Sequence, residues 1–283
     1  CMTCNGYLVY KVGDVYKCRK HKVEVYTFNE EKPSDMLATG ECGKVKGDIT
    51  WSLDRNGVLT IDGKGEMLDD MQSVWDGYAE LIREVKISEG ITSIGDYAFE
   101  GFTELVSADI PESVTVIGAN AFAGCSSLKS VNIPAGVTEL YIETFIECDA
   151  LENIEVSAEN ESYDSIDGVL FTEGAKSLIL YPRGKTAEKY TIPDSVEKIE
   201  ISAFTKAKFS SVVIPDSVKE INDFAFEKSA LTSVDISKGI TKISSGVFRD
   251  CEKLESVHLP NSILKIDAIA FSGCRNLTSI KFP

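Results

Sequence analysis

The first 21 residues carry one set of side chains with metal-ligand spacing. Cys1-x-x-Cys4 is followed, after thirteen residues, by Cys18-x-x-His21. Thiolate and imidazole are preferred ligands of tetrahedral zinc, and two ligand pairs on knuckles joined by a short hairpin hold many structural sites. The runs Tyr7–Tyr10 and Val15–Lys17 would supply that hairpin. Four protein ligands leave no coordination place for water, so the chemistry expected is structural, not catalytic. Such a zinc is the one cofactor the sequence suggests, and no other part of the chain calls for one. The same thiols have other uses open to them. Cys1 could bear a lipid, or Cys1, Cys4 and Cys18 could form a disulfide on export, with Cys42 as a further partner.

The other residue types with chemical potential do not assemble. The only histidines are His21 and His258, and there is no Gly-x-Ser-x-Gly elbow, phosphate-binding glycine loop or His-Glu-x-x-His. Gly63-Lys64-Gly65 is too short for a dinucleotide fingerprint. Without a nucleophile, a base and a group to orient it, no enzyme is expected. Charge narrows the partners. Lys+Arg number 29 against 45 Asp+Glu, a formal net charge of −16. That excludes a nucleic-acid surface, which needs clustered cations, and disfavours adhesion to anionic lipid. It suits solubility and partners with basic patches. The first 25 residues differ, with a local charge of +3. No apolar run reaches the ~18 residues of a transmembrane helix. The opening Cys1-Met2-Thr3-Cys4-Asn5-Gly6 does not read as a signal peptide and, beginning at Cys, reads as a trimmed chain, so an export signal upstream stays compatible.

The elements that position all this follow a repeat. Phe99, Phe122, Phe145, Phe204, Phe226, Phe248 and Phe271 recur at steps of 23, 23, 59, 22, 22 and 23 residues. The long step is one repeat plus an insertion. A fixed period of this length marks a solenoid, whose units bury their apolar faces only against neighbours. Within a unit, Val131-x-Ile133-Pro134 alternates as a strand with one buried face, and the proline ends it. A second extended run of the Val114-x-x-Ile117 type follows, then an Ala-Phe pair whose ring stacks between turns. Cys125, Cys148, Cys251 and Cys274 each fall three residues after the phenylalanine, where other units hold Phe102, Ala207 or Ser229. A place that accepts such different residues is a packing site, so core thiols are expected there. Disulfides Cys125–Cys148 and Cys251–Cys274 between stacked turns are the disfavoured alternative.

Units such as Val106–Leu128 and Glu255–Leu277, with Ile-Pro or Leu-Pro closing the strand, resemble the BspA-type leucine-rich repeats of bacterial surface proteins. The resemblance spans residues 83–283. Upstream, Gly40-Glu41-Cys42-Gly43, Ile49–Leu53 and Val58–Met67 resemble the N-terminal cap found before such arrays. Read from the residues, Ile49–Leu53 and Val58–Ile61 are strands about an Asp54-Arg55-Asn56-Gly57 turn, with Trp51, Met67 and Trp75 plugging the apolar end of the first unit. The first segment resembles a zinc ribbon with His in the fourth place. The fold expected is therefore a β-rich α/β solenoid, a right-handed leucine-rich-repeat array behind a β-hairpin cap. Its parts are residues 1–38, 39–82 and 83–283, with an insertion at about 157–192. The insertion reads as three strands, Gly168–Phe171, Leu178–Pro182 and Tyr190–Pro193, joined by Gly-bearing turns.

The residues left facing outward are the candidate binding surface. They are Ser107 and Asp109, Ser130 and Asn132, Asn153 and Glu155, Ser211 and Val213, Ser233 and Asp235, Ser256 and His258, and Ser279 and Lys281. In register they form a column of mostly small hydroxyls beside a column of mixed residues, suited to a broad partner; serine on an exposed strand is equally consistent with silence. The insertion serves either to widen one turn or as a binding loop. The resemblance implies a non-catalytic scaffold, expected as a monomer, outside the cell or on its surface, binding a host or neighbouring-cell protein. The alternative is an intracellular or membrane-anchored structural adaptor whose Cys/His segment binds structural zinc.

Overall fold

The computed structural model describes residues 36–75 and 77–281, together with the backbone of four short strands, Thr3–Cys4, Tyr7–Val12, Val15–Cys18 and Glu24–Val25. Those four pair antiparallel in chain order. The zinc reading of Cys1, Cys4, Cys18 and His21 rests on side chains outside the described residues. The chain divides into two compact units, residues 1–149 and 150–283.

In the first unit, a five-stranded sheet runs in the order Met36–Glu41, Ile49–Asp54, Val58–Gly63, Glu84–Ile87, Ser107–Asp109 reversed or forward from either edge. The first three strands are antiparallel, and from Val58–Gly63 onward the ladder is parallel. The hairpin follows from composition. Ile49, Trp51 and Leu53 alternate with polar residues and are buried, and so do Leu59 and Ile61. The Asp54 carboxylate accepts the Asn56 and Val58 amides and closes the turn. Trp51, Met67 and Trp75 are all buried; the two indoles meet edge to face at 4.9 Å, and Trp75 Nε1 donates to the Ala98 carbonyl at 2.6 Å. A second ladder joins Gly65–Glu66, Ile91–Ile94, Val116–Ile117 and Glu139–Leu140. Between the ladders proline makes the corner, its fixed φ starting a turn in which Val114 N–H reaches Pro111 O at 3.1 Å.

In the second unit Tyr163–Ile166, Val169–Thr172 and Ser177–Leu180 form an antiparallel meander that passes into a parallel ladder with Lys198–Ile199 and Glu220–Ile221. The insertion thus supplies the antiparallel lead-in of a new array, as Met36–Gly63 does for the first. Its first strand, Tyr163–Ile166, was not legible in the sequence. The outward strands pair as Lys189–Thr191 with Ser211–Val213, and as Ser233–Asp235, Ser256–His258 and Ser279–Lys281.

The α component differs from expectation. Among the described residues the α-helix is confined to Gln72–Trp75, and the Ala-Phe segments are turns. The reason lies in the backbone. The residue two after each of the seven phenylalanines has positive φ (Gly101, Gly124, Glu147, Lys206, Lys228, Asp250 and Gly273), which no right-handed helix admits. In six turns the residue two before it is left-handed as well. This alternation aims every second N–H group at the next turn: Tyr97, Phe99 and Gly101 donate to Ala119, Ala121 and Ala123 at 2.9, 2.8 and 2.8 Å. Phe224, Phe226 and Lys228 do the same to Ser245, Val247 and Arg249 at 2.9, 2.9 and 2.8 Å. The rings then stack inside, 4.8 Å apart for Phe204–Phe226 and 5.5 Å for Phe226–Phe248, each pair contributing ~0.5–1.5 kcal/mol beyond burial.

Two substitutions separate ring from backbone. Phe226→Ala should cost ~3–5 kcal/mol in equilibrium urea unfolding, since the ring is fully buried. Lys228→Gly removes a left-handed penalty of ~1–2 kcal/mol against a glycine entropy cost of ~0.5–1 kcal/mol. Stability should hold level or rise. A loss as large as that of glycine in a strand interior would contradict the assigned conformation.

Candidate functional site

A period-2 strand with one buried row must present the other row outward. Ala108, Val131, Ile154, Val212, Val234 and Val257 are buried and Ile280 is half-buried, and the candidate residues flank these seven. In the first unit Ser107 and Asp109 lie beside Glu84 and Lys86 in register, and Ser130 and Asn132 are exposed on either side of Val131. In the second, Ser233, Ser256 and Ser279 align in one column, and Asp235, His258 and Lys281 in the next. Ser211 and Val213 have Lys189 and Thr191 as neighbours. Val213 is 40 % exposed, an apolar spot in a polar row. His258 Nδ1 pairs with the Asp235 carboxylate across the two strands. Glu84, Lys86, Lys189 and Thr191 belong to these rows although sequence reasoning omitted them; the alternation in Glu84-Val85-Lys86 and Lys189-Tyr190-Thr191 was the available signal.

Asn153 and Glu155 stand apart. Asn153 Nδ2 donates to Glu155 Oε1 at 2.8 Å. Asn153 Oδ1 sits so near Gly168 that a Cβ there would lie 2.0 Å away. Gly168, at φ 72°, is therefore required both by its turn and by the contact. The Lys185 ammonium pins this turn by donating to Asp167 O at 2.7 Å and Glu152 O at 3.3 Å. Asn153 is half-buried against Gly168 of the insertion, as Ser107, Ser211 and Ser256 are half-buried in their own rungs, and Glu155 is exposed.

The repeat cysteines are thiols, without disulfides. Their role exceeds packing. Cys125, Cys148, Cys251 and Cys274 each donate Sγ–H to the carbonyl of the anchoring phenylalanine one turn back, Phe99, Phe122, Phe226 and Phe248, at 3.3, 3.1, 3.0 and 2.9 Å. Burial pushes the Cys251 and Cys42 thiols up to about 12, and raises Cys125 and Cys274. A thiol held neutral is neither nucleophile nor metal ligand. Among the described residues no group of three or more His, Cys, Asp and Glu could hold a metal. In a shallow groove of about 480 Å³ beside Ile201 and Lys242, Lys242 pairs with Asp267 and Asn222 donates to Glu200. No described helix is long and apolar enough to cross a membrane.

The thiols set an alkaline limit. Cys251 is raised in the fold from its ordinary 9.0 to about 12, so its contribution is complete below pH 9 and is lost as pH climbs from 9 toward 12. Urea unfolding across that range should show falling stability, with a shallower fall in Cys251→Ala. Equal slopes in the two proteins would exclude the thiol as a cause.

Comparison with known proteins places the chain. The profile for BspA type Leucine rich repeat region matches six copies over residues 78–174 and 183–283, well over half of the sequence. No curated protein sequence matches. Among solved structures, a leucine-rich repeat protein from Eubacterium ventriosum superposes with a TM-score of 0.56 at 22% identity, over 87% of this chain and 86% of that one. A leucine rich cell surface protein from Faecalibacterium prausnitzii gives 0.50 at 25% identity, over 85% and 88%. The pneumococcal vaccine antigen PcpA gives 0.53 at 16%, over 85% and 88%. The repeat register, the two strand ladders and the profile agree: the chain belongs to the BspA-type leucine-rich repeat family.

Proposed function

We propose that this chain is a non-catalytic protein-binding scaffold, displayed on or secreted from a bacterial cell. One observation carries the reading: two outward columns, Ser233–Ser256–Ser279 and Asp235–His258–Lys281, held in strand register, with Ser233, Ser279 and all of the second column exposed and Ser256 half-buried. Short side chains on a regular sheet let a partner approach closely over a broad area, and affinity then comes from summed contacts, not from one deep site. The likeness to a protein described as a leucine rich cell surface protein supports the location. The partner in this reading is a host or neighbouring-cell protein. In the same proposal, Met36–Gly63 caps the first array. Structural zinc on Cys1, Cys4, Cys18 and His21 would organise the segment before it, and metal content of protein purified without chelator tests that part.

The face is tested by charge and bulk. Ser233→Arg with Ser256→Arg should weaken binding to an extracellular-matrix panel at least tenfold, about 1.4 kcal/mol. Thr241→Arg, at an exposed position just before the Lys242–Ile243 strand that pairs with Lys265–Ile266, should leave binding unchanged. Equal loss in both variants would overturn the assignment of this face.

A further inference from the structure

We infer that Asn56 is a site of spontaneous modification: its side-chain amide is converted to a carboxylate through a cyclic imide with Gly57, and this loosens the first hairpin from the repeat that follows it. The fold creates the reactive pair. Gly57 has φ 85°, and a Cβ there would stand 2.3 Å from the Leu81 carbonyl, so packing demands glycine at this place. Gly57 is itself buried, but without a side chain it adds no bulk of its own beside its nitrogen. That nitrogen is lightly held, donating to Asp54 O at 3.3 Å. Asn56 itself is exposed at the tip of the turn. Its Nδ2, the group that leaves, donates to Asp54 Oδ2 at 3.3 Å.

The chemistry balances without an outside reagent other than water. Gly57 N gives up its proton and bonds to Asn56 Cγ; the Cγ–Nδ2 bond breaks and ammonia leaves with the proton. Water then opens the imide at either carbonyl, leaving aspartate or isoaspartate. Attack needs the deprotonated amide, so the step is faster in alkaline solution.

The position of the turn gives the change a consequence. Gly57 O accepts the Arg83 amide at 2.8 Å and the Glu84 amide at 3.2 Å, which fastens the hairpin to the first parallel strand. Isoaspartate inserts one more atom into the backbone beside this carbonyl. Either product also adds a negative charge next to Asp54.

The test is ageing of the full-length folded protein in mildly alkaline and mildly acidic buffer, read by peptide mapping and isoaspartyl methyltransferase labelling. The peptide holding Asn56 should accumulate both products, faster at the alkaline pH, and the aged protein should unfold at lower urea. Asn56→Gln, whose longer side chain closes the imide ring poorly, should age without that shift. An Asn56 that survives in folded protein while the urea-unfolded chain converts would overturn the site. Conversion with no change in the urea midpoint would overturn the latch.

Discussion

Everything in this molecule depends on each turn finding hydrogen-bond partners for its backbone in the next turn, corners included. Strands do this without difficulty along the two ladders. The phenylalanine corner does it by alternating backbone hands, so that Phe224, Phe226 and Lys228 all direct their N–H groups toward the following turn. A helix would spend those same donors within the segment and leave the turns joined by side chains alone. The left-handed residues this requires explain why the fold is β-solenoid with so little helix. They also place the Phe226 ring inward, over Phe204 and under Phe248.

The same constraint spends most of the chain's chemical groups. The phenylalanine carbonyl accepts the amide three residues on and the thiol of the next turn; Phe226 O takes Ser229 N at 3.1 Å and Cys251 Sγ at 3.0 Å. Carboxylates at the turns are used likewise: Asp96 accepts the Ala119 amide at 2.7 Å and Asp223 the Ser245 amide at 2.9 Å. The outward row of the first ladder pairs within itself, as His258 with Asp235 and Lys86 with Glu84, and its successive residues from different turns are set by register. Recognition by such a surface is a property of the array, and single residues contribute in proportion to their place in the columns.

The sequence disclosed whatever repeats. Seven phenylalanines in phase, strands closed by proline and alternation about Val131 or Val234 report periodic burial directly. It could not disclose backbone hand at Glu147, Lys206, Lys228 and Asp250, since these residue types are ordinary in helices and only the equivalence with Gly101, Gly124 and Gly273 hints otherwise. The contact of Gly168 with Asn153 is set by the path of the insertion, and no local pattern encodes it. Cys125, Cys148 and Cys251 are buried as expected and Cys274 is half-buried, but their bonds to carbonyls a turn away depend on stacking geometry. The outward columns were legible as positions; that Asn153 and Ser256 are half-buried while Ser233 is open was not.

Native-state hydrogen exchange, resolved by residue, tests the central claim most directly. The amides of Phe226 and Lys228 should exchange about as slowly as strand amides such as Val257, even though the Lys228 side chain is exposed. Exchange of these two amides near the rate of an open loop, with Val257 still protected, would contradict a corner built on turn-to-turn hydrogen bonds.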